Sequence, residues 1–193
     1  MKKTAKAAVG YALCGSFCTF SRTLEQMEAL VRLGYDVIPF MSETAYSTDT
    51  RFGRAEDFIH TIETICGHPV IHTISGAEPV GPKRMVDLLL VAPCTGNTLA
   101  KLSWGVTDTS VTMAVKSALR IGLPVVLCMA TNDGLGASAQ NFGRLMNTKH
   151  MYFVPLQQDD PVLKPNSLVA DFARIPETVE AALENRQVEP VLF

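Results

Sequence analysis

The segment Asp87–Lys101, DLLLVAPCTGNTLAK, constrains this chain more than any other. Asp87–Ala92 is the most apolar strand candidate, and an uninterrupted apolar run suits a parallel strand covered on both faces. It passes directly into Pro93–Thr98, a loop of small hydrogen-bonding residues, and then into a helix. Backbone N–H groups and hydroxyls therefore converge at a strand's C-terminal end, where an open α/β sheet binds ligands. Gly96 permits close backbone approach, while Thr95, Asn97 and Thr98 offer donors and acceptors in one short turn. These three could cap the following helix, although a cap alone needs fewer such groups.

The remaining chain reads as strand–loop–helix units. Ala7–Cys14 is a strand, Gly15–Ser21 a small-residue loop, and Leu24, Met27, Leu30 and Val31 share one face of a helix that Gly34 stops. Asp36–Phe40 is a second strand, and Arg54–Cys66 a helix with Phe58, Ile59, Ile62 and Ile65 at helical spacing, ended by Gly67-His68-Pro69. Val70–Thr73 reads as a short third strand, and Ser75–Lys83 as a loop with at most one helical turn. Beyond the central loop come helices at Leu99–Trp104 and Ser110–Ile121, a strand at Val125–Met129, and the loop Ala130–Ser138. A helix with Ala139, Phe142, Leu145 and Met146 inward follows, then a last strand Met151–Pro155 and a final helix opened by Pro176. Five or six strands alternating with helices predict an α/β protein with a single doubly wound, mostly parallel sheet. A length of 193 residues fits one domain, 1–193, with a sizeable core.

Composition narrows the functional classes. A net charge of −2 gives no electrostatic reason to expect nucleic acid, and the lysines of Met1–Lys6 read as a solvated N-terminus. The apolar run Ala7–Cys14 is short, contains Gly and Tyr and flows directly into a periodic helix, so it reads as a strand and not a signal peptide, and no stretch reaches the ~18 apolar residues that span a membrane. A soluble cytoplasmic protein is expected. Five cysteines in no paired spacing read as reduced thiols, and four histidines without ligand spacing as surface or loop residues, so no metal site is expected. Asp108 is expected to cap a helix, and Trp104 to lie in the core or at an interface.

Two glycine-rich loops invite phosphate readings. Gly10-x4-Gly15-Ser16 lacks the lysine of a nucleotide triphosphatase loop, yet Gly15-Ser16 with Thr19 and Ser21 either cradles one phosphate or only caps its helix. Gly134-x-Gly136-x-x-Ala139 fits the loose dinucleotide fingerprint, as a pyrophosphate clamp or as a loop over the sheet edge.

The segment DLLLVAPCTGNTLAKLSWGVTDT resembles the signature of the flavin-binding cysteine decarboxylase superfamily, the HFCD-type flavoproteins. Members carry Ala-Pro-Ala-(Ser/Thr)-Ala-Asn-Thr, then Lys-x-x-x-Gly and an Asp. The resemblance runs from Gly15-Ser16 to the strand at Val125, specific in the central segment and loose elsewhere. It implies a flavodoxin/Rossmann-like three-layer fold and FMN as cofactor. Gly15, Ser16 and Ser42 would hold the flavin phosphate, and Thr95, Asn97 and Thr98 the ring and ribityl chain. Two positions depart from the pattern: Pro79 stands where those decarboxylases place a catalytic histidine, and Met129-Ala-Thr-Asn132-Asp133 replaces their Pro-x-Met-Asn segment.

Through GYALCGSFCTF, GPKRMVDLLLVAPCTGNTLAKL and NDGLG, the chain is most similar to a branch of that superfamily from spore-forming bacteria. The resemblance implies one subunit of a sporulation oxidoreductase, the B type, which works with a second, A-type subunit to oxidise dihydrodipicolinate to dipicolinate. NADP or NAD would enter through the A-type partner, and the assembly would be a homo- or hetero-oligomer. Lys83 and Arg84 become candidates for the carboxylates of the dicarboxylate substrate, and no catalytic residue is assigned. The alternatives are an FMN-dependent decarboxylase of a cysteine-containing substrate and a non-catalytic nucleotide-binding protein that assembles the A-type partner.

Overall fold

The computed structural model describes residues 5–193; Lys2 and Lys3 of the expected solvated N-terminus lie outside the described residues. Strand β1 (Ala8–Leu13) leads through a single 3-10 turn into α1 (Phe20–Arg32), which buries Phe20, Thr23, Met27 and Leu30 at helical spacing. Strand β2 (Asp36–Met41) follows, then the short α2 (Glu43–Ser47) and α3 (Ala55–Cys66), which Gly67 ends in the left-handed conformation at φ 69°. After α4 (Ile74–Ala77) comes β3 (Leu88–Cys94), buried along its whole length. Helices α5 (Gly96–Ser103) and α6 (Ser110–Arg120) precede β4 (Val125–Thr131). The chain closes with α7 (Ala139–Met146), β5 (Met151–Phe153), β6 (Leu156–Asp160), β7 (Lys164–Ala170) and α8 (Ile175–Leu183).

The sheet has seven strands in the order β2-β1-β3-β4-β7-β6, with β5 also on β4. Pairing among β2, β1, β3, β4 and β5 is parallel, as the alternation of strands and helices predicts. Strand order reverses between β1 and β3, the kind of point at which a doubly wound sheet opens a crevice beyond its carboxyl ends. The apolar face-to-face burial is densest at the centre: Leu88, Leu89, Leu90 and Val91 are fully enclosed, each at about 1.5–3 kcal/mol of transfer free energy.

Several local expectations are corrected. Val70–Thr73 is not a strand: Ile71 forms one isolated parallel bridge to Phe40. Upstream the ladder is interrupted because Pro39 has no N–H to donate, and downstream the Met41 carbonyl accepts from Ser110 Oγ at 2.6 Å. Asp108 is not the cap of α6; Thr109 and Thr112 form a reciprocal capping box, and Asp108 pairs with Lys101 at 2.9 Å instead. Trp104 is not in the core: it is 65% exposed with the Arg144 guanidinium 4.0 Å from its ring centroid. The sequence pattern also conceals the β6–β7 hairpin. That hairpin pairs antiparallel, and β7 meets β4 only through Ala130↔Val169 and Thr131↔Leu168.

The 3-10 turn Glu78–Val80 is tied to α6 by one hydroxyl. Ser117 Oγ accepts from the Gly81 N–H at 2.8 Å and donates to the Glu78 carbonyl at 2.6 Å. Ser117→Ala leaves the buried Gly81 N–H and the part-buried Glu78 carbonyl without that partner. A loss of about 1–3 kcal/mol is expected in urea unfolding, whereas substitution of the exposed Ser47 leaves the midpoint within about 0.5 kcal/mol.

Candidate functional site

A cleft of about 850 Å³ opens beyond the carboxyl ends of β1, β3 and β4. Its walls come from four segments: Gly15–Arg22 after β1, Thr95–Ala100 after β3, Ala130–Asn141 after β4, and the β6–β7 hairpin through Asp159, Lys164, Ser167 and Val169. The parallel topology delivers the first three, and the hairpin closes the side that β5 is too short to reach.

On the β3 side, Thr95 caps α5 by accepting from the Thr98 N–H at 3.2 Å. Its hydroxyl donates to Thr98 Oγ1, which in turn donates to the Cys14 sulfur at 3.2 Å. Burial pushes the Cys14 thiol up to about 11 despite that hydrogen bond, so it stays protonated at neutral pH. Thr98 thus faces the protein interior, while Thr95, Gly96 and Asn97 line the cleft. On the β1 side, Gly15 and Ser16 line the cleft. Ser42 does not. It is buried at the N-cap of α2, accepts from the Ala45 N–H at 3.3 Å, and donates its own N–H to the Leu13 carbonyl at 2.9 Å.

A carboxylate that the sequence pattern does not single out anchors the opposite wall. Asp133 accepts from Thr131 Oγ1 at 2.5 Å and from Ser138 Oγ at 2.8 Å. Those hydrogen bonds, Thr131 first, hold its carboxyl below the usual value of 3.8. The cluster presses on α5: a Cβ on Gly96 would stand 2.6 Å from Thr131 Oγ1 and 3.1 Å from Asp133 Oδ1. The absence of a Cβ at Gly96 therefore lets the β3 and β4 loops pack this closely. Gly134, part of the loose dinucleotide pattern, serves packing instead. Its Cβ would stand 2.6 Å from Leu168 Cβ, so the bare glycine lets the β4 loop pack under the hairpin. Its neighbour reinforces that contact, the Leu135 N–H donating to the Asn166 carbonyl at 2.9 Å. Lys83 and Arg84, the expected carboxylate partners, are exposed and stand off the cleft wall; its cations are Arg22 and Lys164.

The residues present suit a nucleotide-sized cofactor such as FMN. Among the described residues, the N–H groups of Gly15, Phe17 and Cys18 have no acceptor, and they surround the first turn of a helix, a favourable place for a phosphate. The N–H groups of Gly96 and Asn97 and the Asn97 amide are likewise without intramolecular partners and border the same cleft. The volume lies in the range of cofactor pockets, roughly 300–1,000 Å³.

This fold and cleft define an α/β flavoprotein architecture, and the chain belongs to the Flavoprotein family, which it matches over residues 1–181. Within that family it is similar to the B subunit of dipicolinate synthase from Bacillus subtilis (strain 168), with 44% identity over 184 residues, covering 95% of this chain and 92% of that one. The crystal structure of the dipicolinate synthase B subunit from Bacillus halodurans C superposes with a TM-score of 0.90 at 46% identity, covering 98% and 97% of the two chains. The FMN-dependent cysteine decarboxylase SpaF shares the fold, with a TM-score of 0.65 at 20% identity and coverage of 94% and 97%.

Because folding lowers the Asp133 pKa, the group stabilises the native state above about pH 4, and that contribution is lost as pH falls through the lowered folded value. Asp133→Asn removes this part of the acid sensitivity. Chemical unfolding midpoints measured from about pH 2 to pH 5 should fall less steeply in the variant than in the parent.

Proposed function

We propose that this chain is the B-type subunit of a dipicolinate-forming oxidoreductase and works in the cytoplasm together with an A-type partner. The near full-length likeness to the dipicolinate synthase B subunit, 44% identical over 95% of the chain, carries this reading. The reaction removes two hydrogens from a dihydropyridine dicarboxylate: one ring hydrogen leaves as hydride to the nicotinamide of NADP or NAD, the other as a proton to a base. Five free cysteines suit a reducing compartment.

In this reading the cleft orients the ring. FMN, where bound, supplies a flat redox-active ring system, with Gly15 and Ser16 at its phosphate and Thr95 and Asn97 along its length. Ser42 and Thr98 support those loops from behind, through the Leu13 carbonyl and the Cys14 thiol. The carboxylates on the cleft wall are Asp133 and Asp159. Asp133, held in its ionised form by two hydroxyl donors, is too weak a base for efficient proton abstraction near neutral pH. Asp159 is engaged by the Lys164 ammonium at 2.6 Å, and we assign the ring proton to a group of the A-type partner.

The decarboxylase alternative has less behind it. Pro79, which replaces the superfamily histidine, lies in the turn against α6 and not on the cleft wall. That position offers no proton-transfer group.

Reconstitution tests the proposal directly. With dihydrodipicolinate and NADP or NAD, the mixture of the two proteins should form dipicolinate at least tenfold faster than the A-type partner by itself. Equal rates with and without this chain would overturn it. For the cofactor, the purified protein titrated with FMN should show flavin absorbance and bind it, and Asn97→Ala should weaken binding by about tenfold, the value of one or two lost hydrogen bonds.

A further inference from the structure

The cleft wall carries two cations from different elements, Arg22 of α1 and Lys164 at the start of β7. Arg22 has no carboxylate within ion-pair distance among the described residues. Its guanidinium lies 5.2 Å from the centroid of the Phe172 ring, a cation–π contact that steadies the side chain without occupying its N–H donors. Lys164 projects from the hairpin with its ammonium 2.6 Å from Asp159. Cys18, four residues before Arg22, lines the same cleft as Lys164, so the hairpin and the α1 side border one cavity. Ala100, Ala130 and Val169 give the same cleft small apolar surfaces suited to a flat ring.

We propose that Arg22 and Lys164 form a carboxylate clamp at the hairpin end of the cleft, which takes the two carboxylates of a planar aromatic dicarboxylate. The assignment rests on the cleft being the site of ring oxidation. Two cations on separate elements suit two anionic groups held apart by a rigid ring, while a single phosphate is already served by the free N–H groups of Gly15, Phe17 and Cys18. Arg22 dominates, because its planar fork is unpaired and matches a carboxylate bidentately. Lys164 contributes less, since an incoming carboxylate must share it with Asp159.

Calorimetric titration of the full chain tests the clamp. The probes are pyridine-2,6-dicarboxylate, benzene-1,3-dicarboxylate, pyridine-2-carboxylate and FMN, each against the parent, Arg22→Gln and Lys164→Gln. Both dicarboxylates should bind, and the monocarboxylate at least tenfold more weakly. Arg22→Gln should weaken the dicarboxylates by about tenfold or more and Lys164→Gln by about threefold, in line with charge-assisted hydrogen bonds of unequal strength, with FMN binding unchanged. Unchanged dicarboxylate affinity in Arg22→Gln overturns the clamp. A loss confined to FMN overturns it too, by assigning the cations to a phosphate. Should Arg22→Gln fail to fold, Arg22→Lys keeps the charge without the fork and should fall between the two. The clamp and the oxidation fail separately. Loss of dicarboxylate binding in Arg22→Gln, together with no dipicolinate from the two-protein mixture, keeps the clamp and sinks the reaction; turnover insensitive to Arg22→Gln does the reverse.

Discussion

The close approach of Gly96 to the Thr131–Asp133–Ser138 cluster is the contact on which the cleft depends. Strand β3 is enclosed along its length, so its carboxyl end has a fixed position and direction. The loop that leaves it packs directly on the β4 loop because position 96 has no side chain; a Cβ there would press on the Thr131 and Ser138 hydroxyls. Two hydroxyl donors then keep Asp133 ionised beside the N-terminus of α5, where a negative charge is favoured by the helix dipole. Packing, hydrogen bonding and electrostatics agree at this point, and the cleft inherits its shape from them.

Much of this is legible in the sequence because the central strands obey simple rules. The apolar run Asp87–Ala92 and the helical spacing of Leu24, Met27 and Leu30 reflect burial on two faces and on one, which leave strong periodic signals. The hairpin escapes notice because most of β6 and half of β7 are exposed and polar, and a strand beyond the core has little hydrophobic pattern to read. Val70–Thr73 fails in the opposite direction. Its apolar residues suggest a strand, but Pro39 opposite has no N–H to continue the ladder, and the Met41 carbonyl is bonded by the Ser110 hydroxyl, far from it in sequence.

The candidate site divides along the same line. Gly15, Ser16, Thr95 and Asn97 stand in loops that follow strands, where topology alone predicts ligands, and the structure brings them to one cleft. Ser42 and Thr98 have the same chemistry and similar neighbours in sequence, yet both face inward. Which hydroxyl of a loop points out is set by capping and by contacts with distant residues such as Cys14, which no local pattern records. Asp133 and Arg22 escape for the same reason, since their roles come from neighbours brought in by the fold.

Strand β4 gives its outer edge first to β5 and then to β7, so that two strands share one edge end to end. The hairpin therefore grips the sheet by two residue pairs and by the Leu135–Asn166 and Ser167–Thr131 backbone-directed bonds, all near its base. Its far end, with Val162 and Leu163 more than 80% exposed, contributes nothing to the core. That tip, unlike the buried base with Leu156, Leu168 and Ala170, is a natural graft point. Its length and charge can drift or be redesigned while the sheet stays intact, so the identity of what enters the cleft can change on a scaffold whose stability is settled elsewhere.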